Sequence, residues 1–585
     1  MFRYALRRAS PYRLRLLETA PSPSQLHARP ISGSFHSPGS GSKSAVISNF
    51  ARNLSSQERR LVPGLPATSD TIYALSSGAG RGGIAVIRVS GLGCLDIYNG
   101  LCPTKPPPKP RYAAVRTLVE PDRAKDVNIV DSDAIVLYFP GPKTVTGEDV
   151  LELYVHGGSA TVKAVLGAIP KSPSQETIRY AEPGEFTKRA FLNDRLDLAQ
   201  VESLGDTLAA ETEQQRRAAV RGNSGILGRT YEDWRAQLLH ARGEIEALID
   251  FSEDQHLDES PAELLVNVTN MVEAMLHNIR LHKDGSQRNE LLRNGIRIAL
   301  LGPPNVGKSS LMNQIIGREA SIVSAEAGTT RDIVEANLDI RGYLCSFADT
   351  AGIRTEDSSS TSNLGHSESS VIGAIEQEGI RRAREKALYS DVIIVLAAVE
   401  RSKCGDHRIH YDVETLRLAA GAPQCLIVIN KSDVVSPEAL AHLLQDFKVS
   451  VLGGIPGLGS AEPFSISCRV AELSAVGLTD PGRIQTLTEI LTQSFSALTS
   501  LPNGMQHLHG VTERQSQLLD QCQRHLEDFM AEAQLCGYEG EADIVLTAEH
   551  LRLAANRLAQ ITGRGDSGDV EDVLGVIFEK FCVGK

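Results

Sequence analysis

Short apolar runs and long amphipathic ones alternate in blocks along this chain, and the blocks predict its architecture. Thr71 to Leu75 and Gly83 to Val89 read as strands flanking a glycine-rich turn, Gly78-Ala79-Gly80-Arg81-Gly82-Gly83. Ala134 to Phe139 reads as a strand beyond a Pro-rich loop, Pro103 to Pro110. From about Glu185 to Arg293, charged and apolar residues interleave near the helical period, as in Leu198 to Val220 and Tyr231 to Ile249. Strand-like runs then return at Ile296 to Leu301, Tyr343 to Ala348, Cys425 to Ile429 and Pro463 to Ile466. Helical pattern closes the chain in Gln515 to Gln534 and Ala548 to Thr562. Neither helical half has enough partners of its own to bury an apolar face. The pattern therefore predicts a strand-bearing N-terminal region and one helical domain (188–293 and 498–585) interrupted by an inserted α/β domain (294–497).

The run Ile296 to Leu301 leads directly into Gly302-Pro303-Pro304-Asn305-Val306-Gly307-Lys308-Ser309-Ser310. This is the order strand, phosphate loop, helix. Backbone N–H groups of such a glycine-bracketed turn point at phosphate oxygens, with Asn305, Val306, Gly307 and Ser310 in the cradle. Lys308 adds a point charge, and the Ser309 hydroxyl can sit on magnesium. Asp349-Thr350-Ala351-Gly352 follows the Tyr343 to Ala348 strand, so its carboxylate can reach the magnesium, while Gly352 frees an N–H for the γ-phosphate. Asn430-Lys431-Ser432-Asp433 ends another strand. A carboxylate at Asp433 accepts two hydrogen bonds from the N1 and N2 edge of guanine, a donor pair that adenine lacks. Within Gly328-Thr329-Thr330-Arg331-Asp332, a threonine hydroxyl completes the magnesium shell only with GTP bound, which makes a switch. Ser467-Cys468 fits the loop that packs against the base. Asn430 to Asp433 alone reads equally as a surface turn; the order of the phrases on successive strand ends predicts a Ras-like P-loop GTPase domain.

At 585 residues the chain has room for about three or four domains of ~150 residues. The first 57 residues hold seven Arg and one Lys against the single acid Glu18, with many Ser and Pro. Arg-rich, Ser-rich and acid-poor is the composition of an organelle import segment, here over 1–67 with its linker, and the mitochondrion is the expected destination. The bland alternative is a disordered tail. Residues 58–585 carry 52 basic against 71 acidic residues, a net charge of −19. Such a charge gives no support for a general nucleic-acid binder. The nine cysteines are scattered, odd in number and without a CxxC pair, so neither a disulfide framework nor a zinc site is expected from their spacing. No stretch is long enough for a membrane span.

Beyond the GTPase core the chain carries Asp70-Thr71-Ile72, Gly82-Gly83-Ile84-Ala85-Val86-Ile87-Arg88, Thr146-Gly147-Glu148-Asp149-Val150-Leu151-Glu152 and His156-Gly157-Gly158. Arg179-Tyr180-Ala181-Glu182-Pro183-Gly184-Glu185-Phe186-Thr187, Ala190-Phe191-Leu192-Asn193-Asp194 and Leu196-Asp197-Leu198 follow, and Phe581-Cys582-Val583-Gly584-Lys585 closes the chain. With these phrases it resembles the MnmE/TrmE family of tRNA-modification GTPases, in its mitochondrial form, from Asp70 to the last residue. The resemblance implies an N-terminal α/β domain (68–187) that binds a 5-formyl-tetrahydrofolate-type cofactor and pairs two protomers, beside the helical domain and the inserted GTPase domain. Folate contacts would fall on Arg88, Glu152, Arg195 and Lys585. Basic groups suit the folate carboxylates, and Glu152 can accept from the aminopyrimidine edge. Arg195 stands where many members carry Lys. Cys582 becomes a candidate functional cysteine.

Ras-like enzymes place a water-orienting glutamine directly after Asp-x-x-Gly; here the position is Ile353, which can neither donate nor accept. The resemblance implies potassium instead, held by Asn305, by Ser324 and Glu326 carbonyls and by Thr329, with magnesium on Ser309 and Thr330 and a catalytic Glu376. Asn305 and Lys308 complete the implied catalytic set. A cation held between phosphates offsets the charge that develops in the transition state. A Ser-rich insert, 355–371, interrupts the segment that must bring Glu376 to the nucleotide. The implied activity is magnesium-dependent, potassium-stimulated GTP hydrolysis. It is coupled to a carboxymethylaminomethyl-type or related modification at C5 of the wobble uridine (U34) of mitochondrial tRNA, in a homodimer working with an MnmG/GidA-type flavoprotein in the matrix. The rivals are a ribosome-assembly or signalling GTPase of the Era/EngA kind and a folate-dependent aminomethyltransferase with a degenerate G domain.

Overall fold

The computed structural model describes residues 70–121, 128–250, 261–318, 320–324, 336–347, 388–402, 406–473, 480–502, 504–535 and 544–564, with residues 577, 581 and 584. All belong to one compact unit, Gly64–Lys585. The import segment 1–67, the Ser-rich insert 355–371, and Glu326, Thr329, Thr330, Asp349, Thr350, Ala351, Gly352, Glu376, Cys582 and Lys585 lie outside the described residues.

The first layer is a six-stranded sheet of β1 (Thr71–Leu75), β2 (Ile84–Ser90), β3 (Ala114–Val119), β4 (Ile129–Phe139), β5 (Val150–His156) and β6 (Ile178–Tyr180), in the order β3-β4-β5-β2-β1-β6. Period-2 alternation in β2 buries Ala85, Ile87 and Val89 against helices α1 (Cys94–Leu101) and α2 (Ser159–Ala168), leaving Arg88 on the opposite face. Helix α3 (Glu185–Leu192) crosses that face: Phe186 packs with Ile72 and Ala74 of β1.

The helical run expected over Leu198 to Val220 is in fact two helices, α4 (Leu198–Ala209) and α5 (Glu213–Gly222). Amphipathic period cannot see the break. Ala210 and Thr212 are extended, and the Thr212 N–H donates to Gln215 Oε1 at 3.0 Å, which starts α5 afresh. Helices α6 (Ile226–Asp250) and α7 (Pro261–Asn294) follow. Their apolar faces share one core with two helices from the far end of the chain, Glu513–Leu535 and Ile544–Thr562; Tyr231, Leu238 and Ile279 meet Phe529, Leu551 and Leu558 there.

Between those helical halves lies a sheet with its own two cores. Its strands are β7 (Ile296–Leu301), β8 (Ala320–Ser324), β9 (Ala336–Ile340), β10 (Tyr343–Phe347), β11 (Val392–Arg401), β12 (His407–His410), β13 (Gln424–Asn430) and β14 (Phe464–Ser465). The order is β14-β13-β11-β7-β10-β9-β8, with β12 on the edge of β11. The five strands from β14 to β10 are mutually parallel, and β11, buried from Val392 to Val399, is its spine. Helix α8 (Lys308–Arg318) follows β7 directly enough to open the phosphate loop between them. No helix among the described residues is long and apolar enough to cross a membrane.

Candidate functional site

Three loops converge at the carboxyl ends of β7, β13 and β14, where an open parallel sheet places its ligands. The first is the phosphate loop, and its glycines are sterically required. Gly302 has φ +148°, and a Cβ there would stand 2.1 Å from the Leu396 carbonyl oxygen. Gly307 has φ +98°, and its Cβ would meet Asn430 Nδ2 at 2.3 Å. Asn305 is left-handed at φ +62°, an accessible conformation for Asn, and its side chain is exposed. Lys308 Nζ donates to the carbonyls of Gly302 (2.7 Å) and Pro303 (2.9 Å), and burial pulls its pKa below the ordinary lysine range. A half-buried ammonium held by neutral carbonyls gains from an anion placed beside it. Ser309 and Ser310 are exposed in the first turn of α8, and Val306 is fully buried.

The other two loops are tied to the first by Asn430. This side chain is 3% exposed; its Nδ2 donates to Val306 O at 2.8 Å, and its Oδ1 accepts from the Cys468 N–H at 3.2 Å. Ser467 Oγ donates to Asp433 Oδ1 at 2.6 Å, tying the carboxylate to the loop after β14. Lys431 is left-handed, and its Nζ reaches Glu400 at 3.3 Å. Burial pushes the Cys468 thiol up to about 12, so it stays a thiol at neutral pH. Asn305, Val306, Gly307, Lys308, Asn430, Lys431, Asp433, Ser467 and Cys468 are thus gathered at one sheet edge. Ser324 ends β8, and the switch residues lie outside the described residues.

A second constellation lies in the N-terminal layer. A cavity of about 660 Å³ opens on the polar face of its sheet and is lined by Arg88, Glu152 and Arg195, together with Arg111, Lys143, Phe139 and Phe186. Arg88 and Glu152 are 64 residues apart in sequence yet stand opposite each other in the β2–β5 register, Arg88 Nη2 lying 3.0 Å from Glu152 Oε1. Tyr154 Oη donates to the other Glu152 oxygen at 2.9 Å, and burial, then this carboxylate, raise the tyrosine's pKa. Arg195 Nε donates to Thr144 O at 2.9 Å. Lys585 lies outside the described residues, but its neighbour Gly584 is docked: Ser76 Oγ donates to Gly584 O at 2.7 Å, and a Cβ on Gly584 would stand 2.1 Å from Leu75 O. The end of the chain is thus held beside β1, one strand from Arg88. Arg111 and Lys143 escaped the sequence reading because only tertiary packing brings them to the cavity; Nη2 of Arg111 donates to the Lys143 carbonyl at 2.6 Å.

The remaining phrases of the N-terminal layer converge on a different object. Arg189 Nη2 donates to Asp70 Oδ1 (2.8 Å) and Glu185 Oε1 (3.1 Å), its Nη1 reaches Glu148 Oε2 (3.1 Å), and Arg179 bridges Asp70 and Glu185 from the other side. Asp70, Glu148, Arg179 and Glu185 therefore form an ion network around the buried Arg189 rather than a ligand surface.

Residues 71–195 match the family described as GTP-binding protein TrmE N-terminus, and residues 198–582 match the MnmE helical domain. The chain belongs to the MnmE/TrmE family. It is 38% identical over 516 residues to the tRNA modification GTPase MnmE of Parvibaculum lavamentivorans, covering 88% of this chain and all of that protein. Its similarity to the human mitochondrial 5-taurinomethyluridine tRNA synthase subunit GTPB3 is 36% over 527 residues, 89% of this chain and 94% of the relative. With the mitochondrial tRNA modification GTPase MSS1 of Saccharomyces cerevisiae it shares 34% over 532 residues, 88% of this chain and 93% of the relative. The MnmE/TrmE match thus runs through both constellations in a single collinear alignment.

Proposed function

We propose that this chain is the GTP-hydrolysing component of mitochondrial tRNA wobble-uridine (U34) modification, installing a carboxymethylaminomethyl-type or related group at C5. The observation that carries the reading is the presence, in one MnmE/TrmE chain, of a phosphate loop with a half-buried lysine and a separate cationic cavity with an Arg–Glu pair. Its division is proposed as an import segment and linker (1–67), a folate-binding and dimerisation domain (68–187), and a helical domain (188–293 and 498–585) interrupted by the GTPase domain (294–497). Human and yeast relatives named as mitochondrial support the organelle, with the matrix as the proposed compartment. A homodimer working with an MnmG/GidA-type flavoprotein on tRNA completes the proposal. The test is mass spectrometry of wobble nucleosides from organellar tRNA in a strain lacking the chain. Unmodified U34 is expected; an unchanged nucleoside profile favours a ribosome-assembly GTPase.

The cavity's donor set fits a 5-formyl-tetrahydrofolate-type molecule. Arg195, Arg111 and Lys143 suit its carboxylates, Phe139 and Phe186 its ring system, and Glu152, steadied by Arg88 and Tyr154, its aminopyrimidine donors. When bound, the folate supplies a one-carbon unit. Glu152→Gln exchanges an acceptor for a donor at the pterin edge and leaves Arg88 without its charge partner. Folate affinity measured by calorimetry should fall by about a hundredfold, the equivalent of ~2.7 kcal/mol for a lost charged hydrogen bond. Equal affinity in the two proteins removes Glu152 from the site.

At the nucleotide crevice, we assign Ser309 and Thr330 to magnesium, and Asn305, Ser324, Glu326 and Thr329 to potassium. Lys308 offsets phosphate charge, and Glu376 is proposed to order the attacking water. Asp433 is assigned to the guanine edge; Asp433→Asn should weaken GTP and strengthen xanthosine triphosphate binding, and an unchanged base preference refutes the assignment. Exchanging potassium for sodium should slow hydrolysis severalfold or more, and Asn305→Ala should erase the difference. Equal rates in both salts with the unaltered protein discard the cation mechanism.

A further inference from the structure

The two helices contributed by the end of the chain, α13 (Glu513–Leu535) and α14 (Ile544–Thr562), bury Cys522, Leu526 and Phe529 of the first in the core that holds Leu551, Ala554 and Leu558 of the second. At the rim of this seam stand His525 and Asp528, three positions apart and so on one face of α13, with His550 from α14. One ligating atom from each lies within 4.8 Å of the other two. The ordinary explanation for such a group is a His–Asp hydrogen bond capping the seam. Among the described residues no such bond is made, and His550 Nδ1 is buried with no hydrogen-bond partner. A shielded imidazole nitrogen without a partner is unfavourable unless something occupies it.

We propose that His525, Asp528 and His550 form a binding site for a divalent transition metal of the zinc class, clipping α13 to α14. Two imidazole nitrogens and a carboxylate oxygen are a zinc donor set, with bonds of about 2.0–2.2 Å that place ligand atoms roughly 3.3 Å apart on a tetrahedral ion. Asp528 is exposed and both histidines are half-buried, so side-chain rotation is the adjustment required to bring the three atoms to that spacing. Three protein ligands leave the fourth position to water. The surrounding charge selects the metal: Arg524 and Arg557 also face His525, so a single carboxylate cannot hold magnesium or calcium, which bind through oxygen ligands and charge. A metal that bonds well to imidazole tolerates that neighbourhood. The clip would brace the helix that leads toward Phe581 and Gly584, the residues docked against α4 and β1.

The test uses the full chain, stripped of metal by chelator and free of nucleotide, titrated with Zn²⁺ by calorimetry and with Co²⁺ by visible absorption. One equivalent is expected, with the d–d bands of a four-coordinate cobalt site and a zinc-dependent rise in Tm. His525→Gln and His550→Gln should each weaken binding by more than about a hundredfold, since losing even an outer partner of a ligand costs 10–100-fold. Both should also abolish the bands and the Tm rise while leaving the metal-free Tm near that of the unaltered chain. Asp528→Asn, at an exposed position, serves as the variant least able to disturb folding, and it should weaken zinc as well. No saturable binding, or binding that all three variants retain, overturns the proposal and assigns any retained metal to other groups, the cysteines first.

Discussion

Arg189→Met should destabilise the N-terminal α/β layer by about 3–5 kcal/mol, the usual cost of removing one partner from a buried charge network. The side chain is 4% exposed and serves three carboxylates that come from different parts of the chain: Asp70 before β1, Glu148 before β5 and Glu185 at the start of α3. Without it, Arg179 still pairs with Asp70 and Glu185, while Glu148 keeps the Ser90 hydroxyl at 2.7 Å in place of a cation. The loss reaches the cavity, because Phe186, Thr187 and Ala190 on α3 line it and α3 is held down by these pairs. The expected result is an early melting transition and loss of folate binding, with GTP binding by the separate α/β core retained. A wild-type Tm in the variant would mean that the network is held by its surroundings and contributes little.

The same network sets an acid limit. Burial pushes the Glu185 carboxyl up, but hydrogen bonds from Arg179, the Glu182 N–H and Arg189 outweigh it and hold the group below the ordinary carboxylate range. A carboxylate with a depressed folded-state pKa adds stability that is fully present above the unfolded value of about 4.3 and is lost as pH falls through the lower folded value. Urea unfolding of the native chain should therefore show stability falling on acidification below about pH 4.3, and Arg189→Met should flatten that slope. Equal slopes in the two proteins would place the acid sensitivity elsewhere.

How far these features could be read from residues alone follows from the range of the interactions involved. The phosphate loop is local: strand, loop and helix are contiguous, and the Gly302 and Gly307 conformations are each enforced by one nearby atom, so the phrase carries its own geometry. The cavity is the opposite case. Arg88 faces Glu152 only because β2 and β5 pair in one register, which nothing near either residue dictates, and the sequence reading reached the pair through family resemblance. Phe139 joins it from β4, Lys143 from the loop after β4 and Arg111 from the loop before β3, and no signal marked them. Strand β11 went unread although it is the spine of its sheet, because a continuous apolar run lacks the alternation that separates strand from buried helix. The break between α4 and α5 was missed for a related reason: the helical period continues across a cap. The N-terminal phrases were correctly singled out, yet four of their charged residues build an ion network, a distinction that needs their partners and not their identities.

Asn430→Ala should unfold the nucleotide crevice even in the absence of nucleotide. The side chain belongs to the phrase assigned to guanine recognition, and in the folded protein it ties two loops together, donating to Val306 O and accepting from Cys468 N. Its removal orphans one buried acceptor and one buried donor at about 1–3 kcal/mol each, a total of roughly 2–6 kcal/mol. That is a large share of the stability of a single domain. Asn430→Asp should do no better, because an acceptor-only carboxylate would then face the Val306 carbonyl. GTP affinity is expected to fall by more than about a hundredfold, since a loss of ~2.7 kcal/mol in crevice order already accounts for that factor. The comparison that isolates the cause is Asp433→Asn, whose side chain accepts from the Ser467 hydroxyl and which should change base choice while leaving the nucleotide-free transition in place. Thermal unfolding of both variants without nucleotide decides between strut and ligand: if Asn430→Ala melts like the native chain and merely binds GTP weakly, Asn430 acts through the base, and the convergence of the three loops has another origin.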